Sequence, residues 1–131
     1  MHEWSIAESV ISAVIEEAKK ERLEEITEVR IRIGELQRME DEIFMFALDE
    51  LRKGVGLLKN VKIEVETEGV LFGCRMCGNE WKGMDLNEDE YEAIHFCPEV
   101  SHAYIRCPSC GSPDFEIMKG RGVIILSLIH I

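Results

Sequence analysis

The sequence predicts an α+β protein in two parts: an N-terminal αβαβ unit whose small sheet is covered by two helices, and a four-cysteine unit resembling a zinc ribbon. Three observations carry the fold class. Apolar residues recur at helical spacing in two segments and alternate at strand spacing in two more. All five cysteines fall in the second half of the 131 residues.

The first helix is expected after Ser5-Ile6-Ala7-Glu8, a capping-box pattern with serine at the cap and glutamate three residues on. Ile6, Val10, Val14 and Ala18 follow as its stripe, with Ile11 and Ile15 beside them, to about Arg22. Val29, Ile31 and Ile33 alternate with Glu28, Arg30 and Arg32, which reads as a half-buried strand ending at Gly34. A second helix is expected from Glu40 to Lys53. Its acidic first turn and basic last turn complement the helix dipole, and Ile43, Phe46, Ala47 and Leu51 are its inward face. Gly54 closes it in a left-handed turn. Glu35, Glu40, Asp41 and Glu42 read as a solvated turn and helix start. Val61, Ile63 and Val65 alternate with Lys62, Glu64 and Glu66 and give the second strand of an antiparallel or mixed sheet.

Composition shifts near Gly69. From there to Gly122 the chain holds all five cysteines, all three prolines and two of the four histidines. Such a segment buries little apolar surface and needs a staple. The expected boundaries are residues 1–68, 69–122 and a return strand, 123–131. The acidic stretch from Met84 to Glu92 is read as a short helix or a loop. The hexapeptide Leu126–Ile131 (LSLIHI) reads as the translation of a sequencing-library adapter, with an ordinary final strand as the other reading.

Charge narrows the function. Against 26 Asp plus Glu stand 15 Lys plus Arg, a net of -11. That field repels phosphate backbones and argues against nucleic acid as a partner. No apolar run is long enough for a bilayer and no leader pattern opens the chain, so a cytoplasmic protein with no membrane partner is expected. No triad and no phosphate-binding glycine loop is visible, so the protein is not expected to be an enzyme.

Cys74-Arg75-Met76-Cys77 and Cys107-Pro108-Ser109-Cys110 are both C-x-x-C, and each is followed by glycine. Two residues between thiols let both sulfurs meet one ion, and two such knuckles supply the closed tetrahedral set of structural Zn2+ sites. Four thiolates leave no open position for water, so this ion would shape the fold rather than react. Phe72, Trp81, Tyr104 and Phe115 flank the knuckles and are expected to pack around them. Two other classes stay open: a rubredoxin-like iron electron carrier, suggested by Cys-Pro-x-Cys-Gly, and a zinc-ribbon interaction module.

The chain opens Met1-His2-Glu3. A histidine in position two offers its imidazole and its own backbone nitrogen, one residue from the free α-amine. Such a nitrogen-rich set favours Ni(II) or Cu(II) over Mg or Ca. From the dipeptide alone, a mobile terminus with an incidental histidine is the simpler reading.

Taken together, Met-His-Glu at the start, Ile-Gly-Glu-Leu at Ile33–Leu36, the spaced knuckles and Gly-Arg-Gly at Gly120–Gly122 resemble the HypA/HybF family, across residues 1 to 125. These are metallochaperones of nickel insertion that mature nickel–iron hydrogenases. The resemblance implies a nickel site at His2, with Met1 and Glu3 as backbone contributors, and structural zinc at Cys74, Cys77, Cys107 and Cys110. It implies Ni2+ as transient cargo, a hydrogenase-maturation GTPase and the hydrogenase large subunit as partners, and it leaves a homodimer open. The segment between the knuckles is long, as in family members of archaeal type, and His95, ahead of His102, is assigned from it as an extra nickel donor on an exposed loop. A surface role for either histidine is the simpler alternative. Cys97 reads as an inert or oxidisable thiol.

Overall fold

The computed structural model describes residues 2–83 and 86–130. Met1 of the expected nickel site, Met84 and Asp85 of the acidic stretch, and Ile131 lie outside the described residues. The elements run α1 (Glu3–Glu21), β1 (Ile26–Gly34), α2 (Asp41–Arg52), β2 (Lys62–Glu68), β3 (Leu71–Cys74), β4 (Glu80–Lys82), α3 (Glu88–Phe96), α4 (Ser101–Tyr104), β5 (Phe115–Lys119) and β6 (Val123–His130). The α+β class is the one the sequence predicts. The chain folds into two compact units: Met1–Arg32, Met39–Glu66 and Ile124–Ile131 form the first, Ile33–Arg38 and Thr67–Val123 the second.

In the first unit α1 and α2 pack on each other, and the sheet runs β2-β1-β6. Ile26, Val29 and Ile31 are buried on β1. On the exposed side Arg30 meets Glu64 at 3.5 Å and Arg32 meets Glu66 at 2.9 Å, opposite charges paired across strands. Strand β6 takes in most of the LSLIHI stretch, through His130.

Helix α1 starts earlier than its capping box implies. Its cap is His2, with no side-chain cap bond; Ser5 lies inside the first turn, where its carbonyl accepts from the Ser9 hydroxyl. The His2 carbonyl accepts from the Ile6 amide at 3.0 Å, which adds nearly a full turn. Glu3 explains why that turn forms. Only 2% exposed, its carboxylate accepts from the Glu40 amide at 3.4 Å and docks the helix end in its own unit. The buried stripe is accordingly Glu3, Ala7, Val10, Ile11, Val14 and Ala18, with Ile6 and Ile15 half-buried at its margins.

Helix α2 turns only part of the expected face inward: Ala47 is buried and Leu51 half-buried, but Phe44 and Leu48 take the places of Ile43 and Phe46. Phe44, Ala47 and Leu48 are buried, whereas Ile43 is exposed and Phe46 is 59% exposed. The stripe through Phe44 continues to apolar Leu51, while the stripe through Ile43 and Phe46 continues to Glu50, whose charge resists burial. Gly54 is not among the left-handed glycines, because Lys53 ends the helix in right-handed geometry and the Val55 amide bonds back to the Arg52 carbonyl.

In the second unit an antiparallel sheet runs β4-β3-β5, with Phe72 opposite Trp81 and Ile117. Leu36, Val70, Phe72, Ile94, Ile105 and Phe115 form its core, with Trp81, Leu86 and Ile117 half-buried against it. Phe72 stacks on Trp81 at 5.3 Å and meets Phe115 edge-on at 5.3 Å. Tyr104, expected in this cluster, is instead 43% exposed. The Ile-Gly-Glu-Leu and Gly-Arg-Gly motifs turn out to be one feature. The Gly34 amide donates to the Gly122 carbonyl at 2.7 Å and the Leu36 amide to the Gly120 carbonyl at 2.9 Å. A Cβ on Gly34 would lie 2.3 Å from the Gly120 carbonyl, and Gly120 has φ +91° against the Val70 backbone. Only glycine fits both places. Glu35, read as solvated, accepts from the Val70 amide at 2.8 Å, and Glu68 accepts from the Gly120 amide at 2.9 Å. The acidic stretch yields α3, started by a capping box between Asn87 and Glu90.

The two faces of α2 can be told apart by mutation. Phe44→Ala should destabilise the protein by ~3–5 kcal/mol in urea unfolding. Phe46→Ala loses an exposed edge contact with Trp4 and should cost less than about 1.5 kcal/mol.

Candidate metal centres

Both knuckles are built alike. The Cys74 amide donates to the Asn79 carbonyl at 2.8 Å and the Gly78 amide to the Cys74 carbonyl at 3.0 Å. In the second, the Cys107 amide donates to the Ser112 carbonyl at 2.9 Å and the Gly111 amide to the Cys107 carbonyl at 2.8 Å. Gly78 and Gly111 take left-handed φ of +79° and +75°, which is why glycine follows each motif. The turn aims the next amides at sulfur: Cys77 N–H points at Cys74 Sγ at 3.4 Å, and Cys110 N–H at Cys107 Sγ at 3.5 Å.

The strands bring the knuckles together. Cys74 ends β3 opposite Phe115 of β5, five residues past Cys110. Sulfurs of Cys74 and Cys110 are 3.5 Å apart, those of Cys77 and Cys107 are 3.6 Å apart, and all four lie within 4.8 Å of one another. A zinc–sulfur bond of about 2.3 Å implies a sulfur–sulfur edge of about 3.8 Å in a tetrahedron, so the set fits one four-coordinate ion. Cys74 and Cys107 are buried, while Cys77 and Cys110 are exposed.

Electrostatics within the set points the same way. The Cys77 amide lowers the Cys74 thiol below its ordinary value, against the effect of burial. Burial opposes ionisation at Cys107, yet the Cys110 and Ser109 amides and the neighbouring thiols bring it down to about 6. At Cys110 the Ser112 amide favours the thiolate, but hydrogen bonding with Cys74, burial and the other two thiols push the value up to about 12. Four sulfurs this close do not all ionise on their own. A divalent cation at their centre removes the conflict and deprotonates all four.

The other predicted residues are not gathered with these. His2 and Glu3 lie in the first unit at the start of α1, and the Nε2 atom of His2 is buried. His95 lies in the second unit, on α3 rather than on a loop, with Nδ1 3.0 Å from the Leu36 carbonyl. Its place on a capped helix against the core follows from the Asn87 box, which ends the freedom expected of an insert. His102 Nδ1 is 2.8 Å from the Pro113 carbonyl, and its ring lies 4.3 Å from that of Phe115. Exposed Cys97 faces Glu99 at 3.7 Å and is outside the four-sulfur set. Sequence reasoning misses Asn79, whose Nδ2 points at Cys107 Sγ at 3.8 Å. Its place directly after Cys-Gly is the one clue.

Fold and sulfur set together define a metal-binding α+β protein with a ribbon-like second unit. The family described as "Hydrogenase/urease nickel incorporation, metallochaperone, hypA" matches residues 1–130. The hydrogenase maturation factor HypA of Thermococcus sibiricus is 44% identical over 132 residues, spanning 98% of this chain and 95% of that protein. That of Pyrococcus horikoshii is also 44% identical over 132 residues, spanning 98% and 94%. The solution structure of the Ni metallochaperone HypA from Helicobacter pylori superposes with a TM-score of 0.67 at 27% identity, covering 100% of this chain and 98% of that one. The chain belongs to the HypA family. Similarity along the whole length does not favour the rubredoxin-like alternative.

Metal analysis of purified protein should find about one tightly held ion per chain. Cys74→Ala and Cys107→Ala should each lose it, while Cys97→Ala keeps it. Metal retained in Cys107→Ala would break the assignment.

Proposed function

We propose that this protein is a nickel metallochaperone for hydrogenase maturation, binding Ni(II) at its N-terminus and holding a separate structural Zn2+ in the four-cysteine cage. Full-length membership of the HypA family is the observation that carries this reading. The placement of His2 supplies its chemistry.

As the cap of α1, His2 sits where the backbone amides stand outside the helix's own ladder. N–H groups of the first turn, Glu3 among them, have no carbonyl one turn back, and the Glu3 amide faces its own carboxylate instead. Giving up such a proton to a nickel ion therefore breaks no helical bond. Glu3 enters through its amide, because its buried carboxylate already serves the Glu40 amide. Met1 supplies the α-amine. The anchored carboxylate also holds this end of the chain in place, a stretch that is usually frayed.

Two fields act on the cargo. The net charge of -11 draws a cation towards the molecule, while the positive end of the α1 dipole opposes it by roughly 0.3–1 kcal/mol. A site with few side-chain donors beside such a dipole binds moderately, as a carrier must. Nickel is captured, held and passed on, and no covalent bond of the cargo is made or broken. The recipient reading is a hydrogenase-maturation GTPase and then the hydrogenase large subunit, in the cytoplasm, with a homodimer as an optional state. His95 keeps its sequence-based reading as an extra nickel donor. Its Nδ1 contact with a carbonyl favours the tautomer whose Nε2 carries the lone pair.

Calorimetric titration of nickel into untagged, zinc-replete protein tests the reading. His2→Ala and Nα-acetylated protein should each lose one nickel-binding event, with zinc content unchanged. An intact titration in either would refute it.

A further inference from the structure

The two knuckles match in their backbones but differ in the residue after each Cys-Gly corner. In the second knuckle that residue is Ser112, whose hydroxyl accepts from the Asp114 amide at 3.0 Å and so serves its own loop. In the first it is Asn79. Its carbonyl closes its own knuckle on the Cys74 amide, while its side-chain Nδ2 reaches the opposite knuckle, 3.8 Å from Cys107 Sγ. One residue thus brackets both halves of the cage. The sulfur it reaches belongs to a cysteine only 2% exposed, where no water competes for the lone pair.

We propose that Asn79 is a positioning residue for the caged metal, its side-chain amide donating to the buried Cys107 thiolate and thereby slowing loss of the ion. This rests on the reading of the four cysteines as a metal site. A hydrogen bond to thiolate withdraws charge from sulfur, which lowers the repulsion among four anionic ligands in a small space. Asn79 also holds the sulfur in position while a bond to the metal breaks, so the ion is recaptured before the knuckles separate. Ser112, turned the other way, gives the second knuckle no equivalent.

The test uses full-length protein loaded with Co(II), a probe whose thiolate charge-transfer bands report on sulfur. Wild type, Asn79→Leu, Asn79→Asp and Ser112→Ala are compared in band position and in the rate of cobalt release to excess EDTA. Both Asn79 variants should bind cobalt at the wild-type ratio but release it about tenfold faster. Their charge-transfer bands should move to lower energy as sulfur loses its donor. Ser112→Ala should match wild type in both readouts. Wild-type rates and bands in Asn79→Leu would overturn the proposal. So would faster release confined to Asn79→Asp, which would mean added negative charge rather than a lost donor. If wild type itself shows no thiolate–cobalt bands, the metal-site reading fails before the role of Asn79 arises.

Discussion

Four sulfur atoms within 4.8 Å of one another are the constraint on which the second unit turns. A unit of roughly sixty residues with a six-residue core is near the lower limit of what apolar burial alone can hold together. The left-handed glycines, the amides aimed at sulfur and the pairing of β3 with β5 all serve to bring the thiols to one point. Without a cation the thiols do not ionise together: Cys107 is brought down to about 6 while Cys110 is pushed up to about 12. With one, the repulsion becomes coordination. Metal binding and folding are therefore coupled in this unit.

The first unit obeys different rules. Its core is ordinary helix and sheet packing, and its distinctive feature is the end of α1. A buried glutamate fixes the helix start two residues from the chain terminus, which leaves His2 as cap and the first-turn amides outside the helical ladder. On the proposed reading nickel takes nitrogen donors, at the start of α1 and at His95, while the four sulfurs hold the other ion. The chemical difference suits a cargo that must leave and an ion that must stay.

Much of this was legible in the sequence, because strong local rules govern it. Doubled C-x-x-C-Gly spacing marked the sulfur set, and alternation marked β1 and β2. What the sequence hid were features settled by partners far along the chain. The start of α1 depends on the Glu40 amide meeting Glu3, so local capping logic favoured Ser5 instead. On α2 the sequence marked Ala47 and Leu51 but took Ile43 and Phe46 where Phe44 and Leu48 turn inward, because two apolar stripes compete over twelve residues. Gly34 and Gly120 looked like separate motifs, yet Gly34 must be glycine because the Gly120 backbone lies against it, and Gly120 because of its own left-handed φ beside Val70. Asn79 had no spacing rule to announce it, since its reach across the cage exists only once both knuckles are folded.

On the proposed reading, two ions use donor sets that never mix. X-ray absorption on protein carrying both metals addresses this directly, because each edge reports one ion's neighbours. Four sulfurs at about 2.3 Å should surround zinc, unaltered by nickel, and the nickel shell should contain nitrogen and oxygen alone. Sulfur in the nickel shell, or a zinc shell that loses sulfur as nickel arrives, would contradict the account.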